Sequence, residues 1–198
     1  MKTSFEKFAG WGAVLAGLSG LLYSISFIVL QNNLLSALFL MIGGLFSASA
    51  LTGLYQRMRG TESGFALFGF LLSLSAALGS TIHGGYDLAN ALHPPDTLNL
   101  DLPNPIDPRG LLTFGIAGLG LFILSWLLTQ KMDFPKGLAY LGFVSSILMI
   151  ILYLGRLIIV QATSLVIVIP ALLEGFIVNP IWYIWLGLLL MRNQSPSK

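Results

Sequence analysis

The chain has 198 residues, of which 56% are hydrophobic and 9% charged, with a formal net charge of +2 and no cysteine. So apolar a sequence does not fit a water-soluble domain and is read as integral to a bilayer. The lack of cysteine excludes disulfides, thiolate metal sites and cysteine nucleophiles, and the small positive charge, carried on helix flanks, points to lipid headgroups and not to nucleic acid.

Six apolar stretches are long enough to cross roughly 30 Å of hydrocarbon at about 1.5 Å per helical residue, near residues 8–30, 34–55, 64–92, 111–130, 137–160 and 165–190. Strand-like alternation is absent, so the spans are expected to be helices. The first begins after Glu6 and Lys7, is too long for a cleaved leader and lacks a small-residue cleavage site, so it is expected to stay as a span. Short links near Gln31-Asn32-Asn33 and Gln161-Ala162-Thr163-Ser164 force antiparallel neighbours in one integral domain over residues 1–198. Small residues four apart, Ala13/Gly17, Ala16/Gly20, Gly44/Ala48 and Ser80/Gly84, should let helices approach closely.

Span three ends in Ser80-Thr81-Ile82-His83-Gly84-Gly85-Tyr86-Asp87-Leu88-Ala89-Asn90. Helical spacing puts Ser80, His83, Asp87 and Asn90 on one polar stripe, and the glycine pair would admit a backbone, a water or a ligand. The connection 93–110 carries Pro94, Pro95, Pro103, Pro105 and Pro108 with Asp96, Asp101 and Asp107. It reads as a stiff lid or strap and lacks the alternation and central glycine of an EF-hand loop. In span four, Gly115, Gly118 and Gly120 sit in an apolar run and read as helix packing, not as a phosphate loop. Span five brings Tyr153 and Arg156; span six brings Glu174 below Pro170, and then Asn179-Pro180, with each proline expected to interrupt the helix.

If the spans alternate, Lys2, Lys7, Arg57, Arg59, Lys131, Lys136, Arg192 and Lys198 share one side, Arg109 lies on the other and Arg156 within the membrane. This bias places both termini in the cytoplasm. Trp11, Trp126, Trp182 and Trp185 fall toward the cytoplasmic ends and read as an interfacial belt.

Counting from the outer ends, His83 and Glu174 come out roughly 14 Å deep and Asp87 and Arg156 roughly 8 Å. Ionisable groups at such depth are costly and mark a working interior or a buried polar network. Ionised Asp87 and Glu174 against Arg156 leave one negative charge, to be offset by a protonated His83, a protonated Glu174 or a bound cation. A protonated Glu174, the deepest acid, with Arg156 paired to Asp87, fits best. A metal on His83, Asp87 and Glu174 lacks a third nitrogen ligand unless His93 folds inward, and His83 and His93 are too far apart on one helix to sandwich a haem, so no cofactor is expected.

The outer links, the His83-to-Asn90 stretch, Asp107-Pro108-Arg109-Gly110 and the final Asn179-Pro180-Ile181-Trp182-Tyr183 resemble small bacterial multispan membrane proteins of unknown function, with the likeness running over most of the chain. The resemblance implies a multispan fold and carries over no activity. The expected protein is an all-α, six-helix polytopic bundle of the bacterial inner membrane. Its outer-half polar cavity, built from His83, Asp87, Asn90, Arg156, Glu174, Tyr86 and Tyr153, would bind a small molecule, ion or proton. The membrane lipids are its other expected partner, and the oligomeric state stays open. A purely structural polar network in a scaffold or accessory subunit, and an intramembrane acid/base or metal-dependent enzyme acting on lipid, are the alternatives, with the enzyme the less favoured.

Overall fold

The computed structural model describes residues 4–94, 110–159, 161 and 163–192. Helix α1 (Ser4–Ser24) continues through a π-helical turn (Ile25–Val29) and is followed by α2 (Asn33–Met58) and α3 (Ser63–Leu92). A second π-helical turn (Leu111–Ile116) leads into α4 (Ala117–Gln130), and α5 (Lys136–Ile158) follows. The last rod is α6 (Leu165–Leu173), a third π-helical turn (Glu174–Val178) and α7 (Asn179–Met191). Together these make six helical rods long and apolar enough to cross a membrane. Their ends fall within a few residues of the sequence boundaries, because an apolar run must bond its own backbone groups wherever water is absent. Most of the Pro- and Asp-rich connection, residues 95–109, lies outside the described residues, so the expected lid or strap is not described.

Each rod packs on its neighbours in chain order, and α7 closes against α1, giving a ring in which α4 stands between α3 and α5. Glycines set the closeness of this ring. A Cβ at Gly84 of α3 would lie 2.7 Å from the Ala37 carbonyl oxygen and 2.8 Å from Met41 Cα on α2; at Gly187 of α7 it would lie 2.6 Å from the Gly10 carbonyl oxygen on α1. These obstacles are backbone, which cannot rotate aside. Gly84 is therefore occupied by helix packing, whereas its neighbour Gly85 would meet nothing nearer than Met41 Sδ at 3.7 Å. Gly84→Ala is expected to lower stability by about 1–3 kcal/mol as an overpacking change. Gly85→Ala should be neutral or gain up to about 1 kcal/mol from helix propensity. Unfolding midpoints of the two variants in detergent check this, and equal midpoints would remove Gly84 from the α2–α3 seam.

The end at which α1 begins and α7 finishes, the terminal end, is solid. Leu54, Met58, Leu124, Leu127, Leu128, Leu138, Leu186, Leu190 and Trp182 are almost fully buried there, with Phe134 inserted from the α4–α5 connection. This corrects the tryptophan expectation in part. Trp11 is 61% exposed and Trp126 38%, as suits an outward belt, but Trp182 is 1% exposed and belongs to the core. The face of the helix on which Trp182 falls points inward, toward the core.

Arg57 also departs from its sequence assignment as a loop charge. It is in the last turn of α2, where Nε donates to Glu6 Oε1 of α1 at 3.3 Å, and Nη1 and Nη2 donate to the Leu189 and Leu190 carbonyls of α7 at 3.4 and 3.2 Å. Its guanidinium carbon sits 5.9 Å from the centre of the Phe134 ring. Three rods and a connection are thus clasped at the terminal end.

Candidate functional site

Away from that packed end the ring encloses a cavity of about 710 Å³, to which all six rods contribute. Its lining comes from the half opposite the termini, here the distal half, and reaches the distal end at Gln31, Gly110 and Thr163. The walls are mainly hydrocarbon, among them Ala16, Leu40, Ala76, Leu121, Met149 and Leu152. All three π-helical turns fall in this half. Such turns are one-residue insertions that recur at functional sites.

The third of them positions the principal polar group. Pro180, at the start of α7, has no N–H to return to the carbonyl one α-helical turn back, and the helix widens just before it. The Asn179 N–H accordingly bonds the Glu174 carbonyl, five residues earlier. A five-residue period brings Glu174 and Asn179 over one another, and the following four-residue step adds Tyr183, so all three line the cavity. An uninterrupted α-helix would not keep the three in one column.

Glu174 is 5% exposed. The Ser145 hydroxyl of α5 donates to its Oε1 at 2.6 Å, while Oε2 has no hydrogen-bond partner. The Asn179 amide lies beside the carboxyl, and the Ser47 hydroxyl of α2 lies beside the Tyr183 phenol. Ser24 of α1 abuts Gly175 and also lines the cavity. A polar floor is thereby assembled from four rods. Leaving a buried carboxyl oxygen unpartnered costs about 1–3 kcal/mol, and more if the group is charged. Stability alone does not select such an arrangement.

The sequence-singled residues are distributed unevenly about this cavity. His83, Arg156 and Glu174 line it. Asp87, Asn90, Tyr86 and Tyr153 are not among its lining residues, and Tyr86 is 60% exposed. His83 and Asp87 do meet, with Nε2 3.1 Å from Oδ2 one turn apart on α3. The expected Arg156–Asp87 pair is not formed, because α4 separates the rods that carry them. Arg156 is also shallower than counted: α5 ends at Ile158, which leaves Arg156 exposed in the last turn, where a helix C-terminus favours a cation. Ser145 is level with Glu174 and precedes Arg156 by eleven residues on one helix, so the two charges stand roughly 16 Å apart along the axis. The single cluster expected from sequence is instead a floor carboxyl, a mouth cation and, on the wall facing Glu174 across the ring, His83 with Asp87 behind it.

Sequence reasoning missed Ser145, Ser47, Ser24 and Tyr183, and took Asn179 only for a kink. The one usable signal was the Ser145-Ser146 pair in the middle of an otherwise apolar span. The Ser146 hydroxyl donates to the Gly118 carbonyl of α4 at 2.7 Å, so the pair joins α5 to the rods on both sides. Among the described residues no three His, Asp or Glu side chains converge in a way that would hold a metal ion.

No protein-family model, no curated protein and no solved structure matches the chain.

Proposed function

We propose that this is a multispan protein of the bacterial inner membrane with both termini in the cytoplasm, whose cavity opens outward and binds a small molecule, with Glu174 as the polar anchor. The observation that carries this reading is a cavity of about 710 Å³ with an almost fully buried carboxyl on its floor, one oxygen of which is unpartnered. That volume lies within the roughly 300–1,000 Å³ usual for ligand pockets, which combine apolar walls with a few placed polar groups. The basic residues supply the orientation: those flanking the terminal end outnumber those at the distal end, and cytoplasmic flanks carry the excess of Lys and Arg. A packed terminal half opposite an accessible distal half suits a receptor, or one outward-facing state of a carrier.

The native absence of cysteine makes the test direct. Ser47→Cys and Ser80→Cys lie on the cavity wall, and Ser125→Cys lies in the solid half, where Ser125 is fully buried. A membrane-impermeant maleimide added outside spheroplasts is expected to label the first two and to spare the third. Labelling of the cavity cysteines only in inverted vesicles, or in neither preparation, would overturn the reading.

A further inference from the structure

Resting on that reading, we propose that the cavity takes a hydrophobic primary amine, bound as its ammonium ion with N–H donors on the Glu174 carboxylate and its hydrocarbon against the apolar walls. Charge sign comes first. Glu174 is the only acidic residue lining the cavity among the described residues, and the one arginine, Arg156, stands roughly 16 Å away toward the mouth. An anionic ligand reaching the floor would meet a carboxyl with no cation beside it. Acceptor count comes second. Ser145 donates to Oε1 and the Asn179 amide stands beside the carboxyl, yet Oε2 meets no donor in hydrogen-bonding geometry, so the carboxyl keeps an open acceptor facing the cavity.

A neutral hydrocarbon would fill the walls and leave Oε2 unsatisfied. A quaternary ammonium would bring charge but no N–H. A bare Ca²⁺ or Mg²⁺ ion would need a shell of about six or more oxygens, which one carboxylate with a few hydroxyls beneath walls of Ala, Leu and Met does not provide, and no three His, Asp or Glu converge among the described residues for a transition metal. A primary ammonium offers three donors on a compact head and leaves its apolar body to a cavity far larger than that head. The carboxylate and ammonium then neutralise one another where hydrocarbon penalises either alone.

The test uses the full chain in lipid nanodiscs and four probes of one shape: 1-adamantylammonium, its N,N,N-trimethyl derivative, 1-adamantanol and adamantane-1-carboxylate. Calorimetric titration is expected to show the primary ammonium binding at least about tenfold tighter than the alcohol or the trimethyl compound, the gain typical of a hydrogen bond to a charged group. The carboxylate should bind weakest, and Glu174→Gln should abolish the preference for the ammonium. Equal affinities for ammonium and alcohol, a preference for the carboxylate, or an unchanged preference in Glu174→Gln would each overturn the proposal. Should that variant not fold, the ranking of the four probes on the wild-type chain decides. Outward labelling of Ser47→Cys and Ser80→Cys together with no amine preference would remove the ligand class and keep the cavity. Failure of the labelling would remove both.

Discussion

Arg57→Met is expected to lower the stability of the bundle by about 3 kcal/mol or more, seen as a fall in the unfolding midpoint of the purified chain in detergent. The reasoning starts from what methionine retains. It keeps the aliphatic stem that packs in the terminal-end core, so the loss falls on the charged and hydrogen-bonding head. That side chain is 8% exposed, and its partner Glu6 is 21% exposed, so the pair is mostly withdrawn from water. Two further donors reach the Leu189 and Leu190 carbonyls in the last turn of α7, where backbone N–H groups run out and, among the described residues, only Leu189 has another donor, the Arg192 N–H at 3.3 Å. Removing the guanidinium therefore takes a donor from the Glu6 carboxylate and from both carbonyls at once, and it also removes a cation beside the Phe134 ring. Glu6→Gln should cost less, since Glu6 is the more hydrated partner and an amide oxygen still accepts from Arg57. Arg57→Lys should fall between, because a point charge cannot serve Glu6 and α7 together as the planar fork does. A loss below about 1 kcal/mol for Arg57→Met would reduce the clasp to an ordinary surface pair.

The same residue shows where sequence reading stops. The number of rods and their approximate ends follow from apolar length, since one solution satisfies the backbone of such a segment. Arg57 looked like a loop charge only because helix ends are poorly marked: α2 runs on to Met58, past the expected end near residue 55. Position along a rod was legible in part, because residue counts convert to ångströms along a helix, although the count set Arg156 too far from its helix end. Counting singled out Glu174, which the structure sets in the floor of the cavity.

What a linear sequence does not contain is the order of rods around the ring and the rotation of each rod about its own axis. Pairing Asp87 with Arg156 assumed that α3 and α5 touch; α4 lies between them, and Asp87 takes His83 from its own helix instead. Rotation likewise put Trp182 inside and Tyr86 outside. The π-helical turns compound the problem, since each inserted residue rotates everything beyond it by about 100°. Of the three, the one at Glu174–Val178 has a visible cause in Pro180, while Pro170, expected to interrupt the helix, sits within α6 without breaking it; Ile25–Val29 and Leu111–Ile116 carry no proline at all.

Trp182→Ala should produce the largest loss of packing in the molecule and join the two halves that the fold keeps apart. The indole is 1% exposed and is the largest of the fully buried side chains. It meets Tyr183 edge-on, with ring centres 4.9 Å apart at 88°, and Tyr183 in turn lines the cavity, so the tryptophan stands directly behind the floor. On its other side it closes on α5: a Cβ at Gly142 would lie 2.9 Å from the indole nitrogen. Truncation removes the hydrocarbon and leaves a void that a ring of glycine-tight seams cannot collapse to fill, and the expected cost is about 3–5 kcal/mol. The buried indole N–H has no partner, so volume and not hydrogen bonding is at stake. Trp182→Phe, which returns most of the volume, should therefore cost less than half as much. The functional consequence is separable from the stability loss. With the indole gone, the floor should open into the solid half, and Ser125→Cys, expected to be protected in the parent, should become reactive to the impermeant maleimide from outside. If it stays protected while stability falls as expected, the terminal half seals without Trp182, and the barrier lies lower, at the Leu127, Leu138 and Leu190 layer.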